Sequence, residues 1–142
     1  MTDSRTDETA APRRDRPRHF LSQLGLRDVE VEGVELAMEM GTAPELANSR
    51  GALQGGLIAT LIDIIAGRLA LQGTAAAETI ATSDLTIHYL APIIDGPAQA
   101  RAKVLRRGSR SVILHVEVYD VATDKLAAVS TVGFAVMRPR QA

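Results

Sequence analysis

The chain has no cysteine and no tryptophan, and only two phenylalanines and two tyrosines among 142 residues. Without cysteine there are no disulfides, no thiolate metal sites and no Cys nucleophile, and the composition suits a reducing, cytoplasmic setting. So few rings leave almost nothing on which nucleobases could stack. An excess of either charge is missing too. Sixteen Lys and Arg stand against seventeen Asp and Glu, and a net charge of −1 sets up no field to gather a polyanion. Nucleic acid is therefore not an expected partner. The longest apolar run, residues 57–71, is broken by Asp63 and Arg68 and falls short of the ~20 residues of a membrane-spanning helix, so no membrane anchor is expected either.

What remains is 46% hydrophobic, nearly all of it Ala, Val, Ile and Leu, which pack as thin layers and favour a helix lying close on a sheet. Residues 1–18 carry charges and prolines without large apolar side chains. They lack the apolar centre of a secretory signal and are expected to form a mobile tail, in which Arg13, Arg14, Arg16 and Arg18 read as solvated. Residues 19–142 are expected to form one domain.

Along that domain, "HFLSQLGL" forms a short helix with Phe20, Leu21 and Leu24 on one side, ending near Gly25. "DVEVEGVELAMEM" alternates as a strand whose parity switches at Gly33, which predicts a bulge there. A Gly-, Asn- and Ser-rich loop over 41–54 leads into a helix from about Gly55 to Leu71. Four extended segments follow. The first sets Leu85, Ile87 and Tyr89 against Thr82, Asp84, Thr86 and His88. The next two read as a hairpin with Ala98, Ala100, Ala102 and Val104 facing Val112, Leu114, Val116 and Val118 inward. The last, "LAAVSTVGFAVM", is apolar on both parities, as in a strand covered on both faces. The order predicts an α+β fold with one long helix across a curved antiparallel sheet.

Within that helix stands one carboxylate, Asp63. Its neighbours at three- and four-residue spacing, Ala59, Thr60, Ala66 and Gly67, extended by Gly56 and Ala70, are all small. Leu57, Leu61, Ile64, Ile65 and Leu69 are expected to take the sheet side. Asp63 thus faces a groove that a second subunit or a ligand can approach closely, and a half-buried carboxylate can serve as base or nucleophile. Gly55 and Gly56 open the helix, where free backbone N–H groups at the positive end of the dipole can hold an oxyanion. The acid lies eight residues further on, about 12 Å along the axis. One helix therefore does not present both groups to one atom, whereas two copies packed antiparallel would.

The spacing of Asn48, Gln54-Gly55-Gly56 and Asp63 resembles the His-Gly-Gly-x6-Asp signature of PaaI-like acyl-CoA thioesterases of the hotdog superfamily, and the likeness runs from residue 20 to 137, including "SDLTIHYLAP". The resemblance implies a long helix wrapped by five or six antiparallel strands. It also implies dimers that share one sheet and commonly pair into tetramers, active sites between subunits, and acyl-CoA as substrate. It assigns Asp63 as catalytic acid and Gly55 as the N–H that polarises the thioester carbonyl. Asn48 falls to holding water or the carbonyl, and Thr82 to a supporting hydroxyl. Gln54 replaces the signature's His: an amide still donates to a carbonyl oxygen but does not titrate, so either turnover is altered or the chain only binds acyl-CoA.

The turn Arg106-Arg107-Gly108-Ser109-Arg110 is either an ordinary charged hairpin or a phosphate contact. On the second reading Arg107, Ser109 and Arg110, with Gly56, bind coenzyme A. Arg68 is expected to pair with an acid at a subunit interface. His88 and His115 read as polar-face residues, with an Asp84–His88 charge pair open to form. No third ligand is spaced to complete a metal site, so neither metal nor cofactor is expected. The expected activity is hydrolysis of an acyl-CoA thioester to carboxylic acid and coenzyme A. A non-catalytic acyl-CoA binder is the alternative, and a hydratase is a weaker third for want of a suitably spaced His dyad.

Overall fold

A computed structural model describes residues 19–139. The tail expected over 1–18, with its arginines, lies outside the described residues. A 3₁₀ turn, Phe20–Gln23, leads to β1 (Arg27–Val29) and β2 (Leu36–Met40), followed by α1 (Gly55–Gln72), β3 (Thr79–Tyr89), β4 (Ala98–Arg107), β5 (Ser111–Asp120) and β6 (Lys125–Met137). All neighbours pair antiparallel, in the spatial order β1-β2-β4-β5-β6-β3. One long helix packed on six curved antiparallel strands is the hotdog fold expected from the sequence.

The sheet's inner layer is thin, as the composition requires. Ala98, Ala100 and Ala102 of β4 and Val112, Leu114, Val116 and Val118 of β5 are buried, and Val132 and Phe134 of β6 continue the layer. Against it α1 buries Ile58, Leu61, Ile62, Ile65, Ala66, Leu69 and Ala70. By length and a mean hydropathy of 1.4, α1 would pass for a short membrane span, but its apolar side is taken up by the sheet. The helix is rolled relative to the expectation: Leu57 and Ile64 lie on the flank, half-buried, while Ala66 and Ala70, expected on the open stripe, are buried. The buried arc centres on Ile58, Ile62 and Leu69, and Ala66 and Ala70 form its edge next to Asp63, where their small side chains leave the acid close to the sheet.

Residues 28–40 are not one bulged strand. Gly33 has φ +75°, a conformation glycine adopts without strain, and there the chain turns back so that Val29 pairs with Ala37. The parity switch at Gly33 marks a reversal, and this hairpin supplies the sixth strand. Arg68 does not await a partner subunit's acid, because its guanidinium makes a two-pronged pair with Asp28 of β1, to Oδ1 and, at 2.9 Å, to Oδ2. That hydrogen bonding holds the Asp28 carboxyl below the usual carboxylate range.

Two bulges matter for the site. Thr82 pairs with Phe134 and Asp84 with Gly133, so Ser83 is an extra residue in β3. Likewise Val104 pairs with Leu114 and Arg106 with Ile113, so Leu105 is extra in β4. Gly133 leaves room for the side chains of the first bulge: a Cβ there would lie 2.1 Å from Asp84 Oδ1 and 3.1 Å from Ser83 Oγ as they stand.

Gly67 sits mid-helix, where a Cβ would meet the Phe134 ring at an ordinary 3.6 Å. Replacing it by alanine removes the conformational penalty of a helical glycine. Gly67→Ala should raise unfolding stability by about 1 kcal/mol in urea titrations with an unchanged slope. An equal loss would show that the stripe beside Asp63 needs the bare backbone.

Candidate active site

The N-terminal half of the site starts from a pinned loop. Asn48 Oδ1 accepts from the N–H groups of Arg50 (2.9 Å) and Ala52 (3.2 Å), which curls 48–52 into a tight turn. Leu53 N–H then donates to Ile93 C=O at 2.8 Å and Gln54 N–H to Leu46 C=O at 3.0 Å, so the chain enters α1 at a fixed angle. Gln54 is the N-cap. Its side chain is exposed and makes no capping bond, while its carbonyl takes both Leu57 N–H (3.0 Å) and Ile58 N–H (3.1 Å). Among the described residues the Gly55 and Gly56 N–H groups have no acceptor. They stand at the dipole's positive end, beside a cavity of about 500 Å³ lined by Asn48, Arg50, Gly55, Ile58, Tyr89 and the apolar run 90–94.

Asp63 lies two turns along, half-buried, and its Oδ1 accepts the Thr82 hydroxyl at 2.9 Å. Strict alternation would put Thr82 on the sheet face away from the helix, with Asp84, Thr86 and His88. The extra residue Ser83 reverses the parity, so Thr82 faces α1 in step with Leu85, Ile87 and Tyr89. The structure thus brings Asp63 and Thr82 together and sets Asn48 and Gly55, but not Gly56, on the wall of a separate cavity some 12 Å away along the helix.

The basic turn is divided. Ser109 and Arg110 are exposed at the β4–β5 turn. Arg107, carried to the helix side by the bulge at Leu105, donates from Nη1 to Ala70 C=O (2.9 Å) and from Nη2 to Leu69 C=O (3.3 Å). It caps the C-terminus of α1, a favourable place for a cation, and Gly73 leaves the room for it.

His115 and His88 lie on the outer sheet face, remote from Asp63. His115 Nε2 is 3.1 Å from Glu117 Oε1, and Glu117 also accepts from Tyr119 Oη at 2.6 Å, which chiefly keeps its carboxyl below the usual range. Asp84 takes the Ser83 hydroxyl at 3.2 Å and makes no ion pair with His88. Among the described residues no three His, Asp or Glu gather as a metal site.

One residue of the site was missed by sequence reasoning. Tyr89, assigned to the apolar parity, is half-exposed, and its hydroxyl donates to Gly55 C=O at 2.6 Å. Partial burial raises its pKa above the ordinary tyrosine value. The available signal was chemical, since a helix-facing tyrosine needs a partner for its hydroxyl.

A hotdog domain with an acid braced on its helix and free N–H groups at the helix start has the parts of an acyl-transfer hydrolase. Comparison with known proteins narrows the class. Residues 50–127 match the model of the thioesterase superfamily. The protein SSO2140 of Saccharolobus solfataricus, which bears the name of an esterase, is 31% identical over 117 residues, 82% of each chain. F42H10.6 of Caenorhabditis elegans, also named for esterase activity, is 33% identical over 101 residues, 70% of this chain but 59% of its own length. Among solved structures, thioesterase HI1161 of Haemophilus influenzae superposes with a TM-score of 0.79 at 20% identity, over 86% of this chain and 85% of that one. The BH2602 protein of Bacillus halodurans, solved with CoA, gives 0.67 at 25% identity over 71% and 66%. The chain belongs to the thioesterase superfamily, which places it among hydrolases of thioester and ester bonds.

Thr82→Val keeps the shape of the side chain and removes the donor to Asp63. It should lower kcat on a hydrolysed substrate by roughly tenfold with KM within about twofold, since the bond fixes the acid rather than the ligand. A change confined to KM would place Thr82 on the substrate instead.

Proposed function

We propose that the protein hydrolyses an acyl-CoA thioester to a carboxylic acid and coenzyme A, without metal or redox cofactor. The observation that carries the reading is a braced, half-buried Asp63 on a helix whose start offers two unpartnered N–H groups, Gly55 on the wall of a largely apolar cavity and Gly56 next to it in the chain. Thr82 occupies one oxygen of Asp63, which leaves the other to take a proton from water. The hydroxide oxygen bonds to the thioester carbon, and the carbonyl electrons move onto an oxygen held by the N–H groups of Gly55 and Gly56. Collapse breaks the C–S bond, and the thiolate leaves to take up a proton. Direct attack by Asp63 through an acyl-aspartyl anhydride is the other route, and single turnover in ¹⁸O water separates the two by label in the protein.

Asn48, whose Oδ1 is committed to the loop, retains an amide N–H₂ for water or the carbonyl, and Gln54, free and exposed, serves as a neutral donor. The separation of about 12 Å between Gly55 and Asp63 is the reason to assign the two halves of each site to two copies of the chain. The assembly is then a homodimer, or a dimer of dimers, in the cytoplasm. Exposed Ser109 and Arg110 are the residues offered to coenzyme A, while Arg107 reaches it only by leaving the end of α1.

The test is release of free thiol from a panel of acyl-CoAs ranging from short to long and from aliphatic to aromatic. Asp63→Asn should lower kcat/KM by about 10²- to 10⁴-fold, the contribution of a positioned base. Equal rates would remove Asp63 from the chemistry. Gln54 in place of a titratable His supports a second reading, an acyl-CoA-binding protein without turnover. Tight binding with no thiol released across the panel would establish it.

A further inference from the structure

The geometry points to Tyr89 as a positioning residue that fixes and polarises the peptide unit joining Gly55 to Gly56. The inference rests on the reading of the helix start as an oxyanion site and deepens it. An amide's C=O and N–H lie at opposite ends of one planar unit, so a donor on the oxygen draws charge from the nitrogen and makes its hydrogen a better donor. The Tyr89 hydroxyl sits 2.6 Å from Gly55 O, and the N–H at the other end of that unit belongs to Gly56 and has no acceptor.

The preceding unit is arranged the same way, since Gln54 O accepts from both Leu57 and Ile58 while the Gly55 N–H beyond it is free. Two consecutive N–H groups are thus strengthened from behind, one by the helix itself and one by a side chain from the edge strand. A merely space-filling Tyr89 would not need its hydroxyl on this carbonyl, because half of its surface is exposed and water could satisfy it. Its ring also lies where a Cβ on Gly55 would meet it at 3.4 Å, so glycine and tyrosine are fitted to each other. Tyr89 and Gly55 both belong to the cavity wall, which puts the ring beside any acyl group whose carbonyl reaches the helix start.

The test uses the full chain with Asp63→Asn, so that bound acyl-CoA persists, and reads the infrared stretch of a ¹³C-labelled thioester carbonyl. Binding should lower that frequency by polarising the bond, and adding Tyr89→Phe should return much of the shift. In the background with Asp63 intact, Tyr89→Phe should lower kcat about three- to tenfold with KM little changed, the size expected for one hydrogen bond. An equal frequency shift with Tyr and Phe overturns the role of Tyr89 and leaves the oxyanion site standing. No shift in either overturns both. Thermal unfolding of Tyr89→Phe gives the control for folding, and the carbonyl frequency is a quantity that a purely structural loss would not move.

Discussion

The roll of α1 about its own axis is the constraint on which the rest of the molecule depends. Seven buried positions hold the helix against the strands, and the two smallest of them, Ala66 and Ala70, form the edge of that set next to Asp63. Turn the helix the other way, onto Leu57 and Ile64, and Asp63 leaves the flank of β3 where Thr82 can reach it. Burial, which is non-directional, thereby acquires direction through side-chain size: the hydrophobic face does not merely attach the helix but sets the bearing of a polar group on its far side.

Besides Asp28, which pairs with Arg68, three side chains among the described residues reach from the sheet to α1, one to each part of it. Tyr89 takes a carbonyl in the first turn, Thr82 the acid in the middle, and Arg107 the last carbonyls. Two of the three depend on bulges, because regular alternation would have pointed Thr82 and Arg107 away from the helix. The bulges thus break the pleat where a polar side chain is needed on an otherwise apolar face. The third, Tyr89, needs no bulge, since it follows Leu85 and Ile87 in ordinary register.

The same distinction explains what could be read from the sequence. Features that obey a period were legible, namely the long helix, the β4–β5 hairpin and the inward Val and Ala sets, although the helix is rolled so that Ala66 and Ala70 of the expected open stripe are buried. What depended on a break in period was misread. Gly33 announced a parity change, but bulge and reversal leave the same trace in one strand, and only the pairing of Val29 with Ala37 separates them. Ser83 and Leu105 left no local mark. The sign of the first lies on another strand, at Gly133, whose missing side chain admits Asp84. Arg107 was grouped with its turn by position, whereas the structure has it bonded to the last carbonyls of the helix. Asp63 and Gly55 stand out in the sequence by local pattern alone, while the bond made by Tyr89 depends on a partner 34 residues away.

The bulge at Ser83 gives the chain an evolutionary hinge of a particular kind. Most routes to changing such a site replace a side chain near the reaction and leave the backbone alone. Here the loss or gain of a single residue in an edge strand, where length changes are least costly to a sheet, would exchange the two faces from Thr82 back to the start of β3. Asp63 would keep its place and lose its brace. Descendants of one ancestor that differ by that one residue would share the fold, the acid and the paired glycines, yet diverge in how firmly the acid is held, with no substitution at any of them to show why.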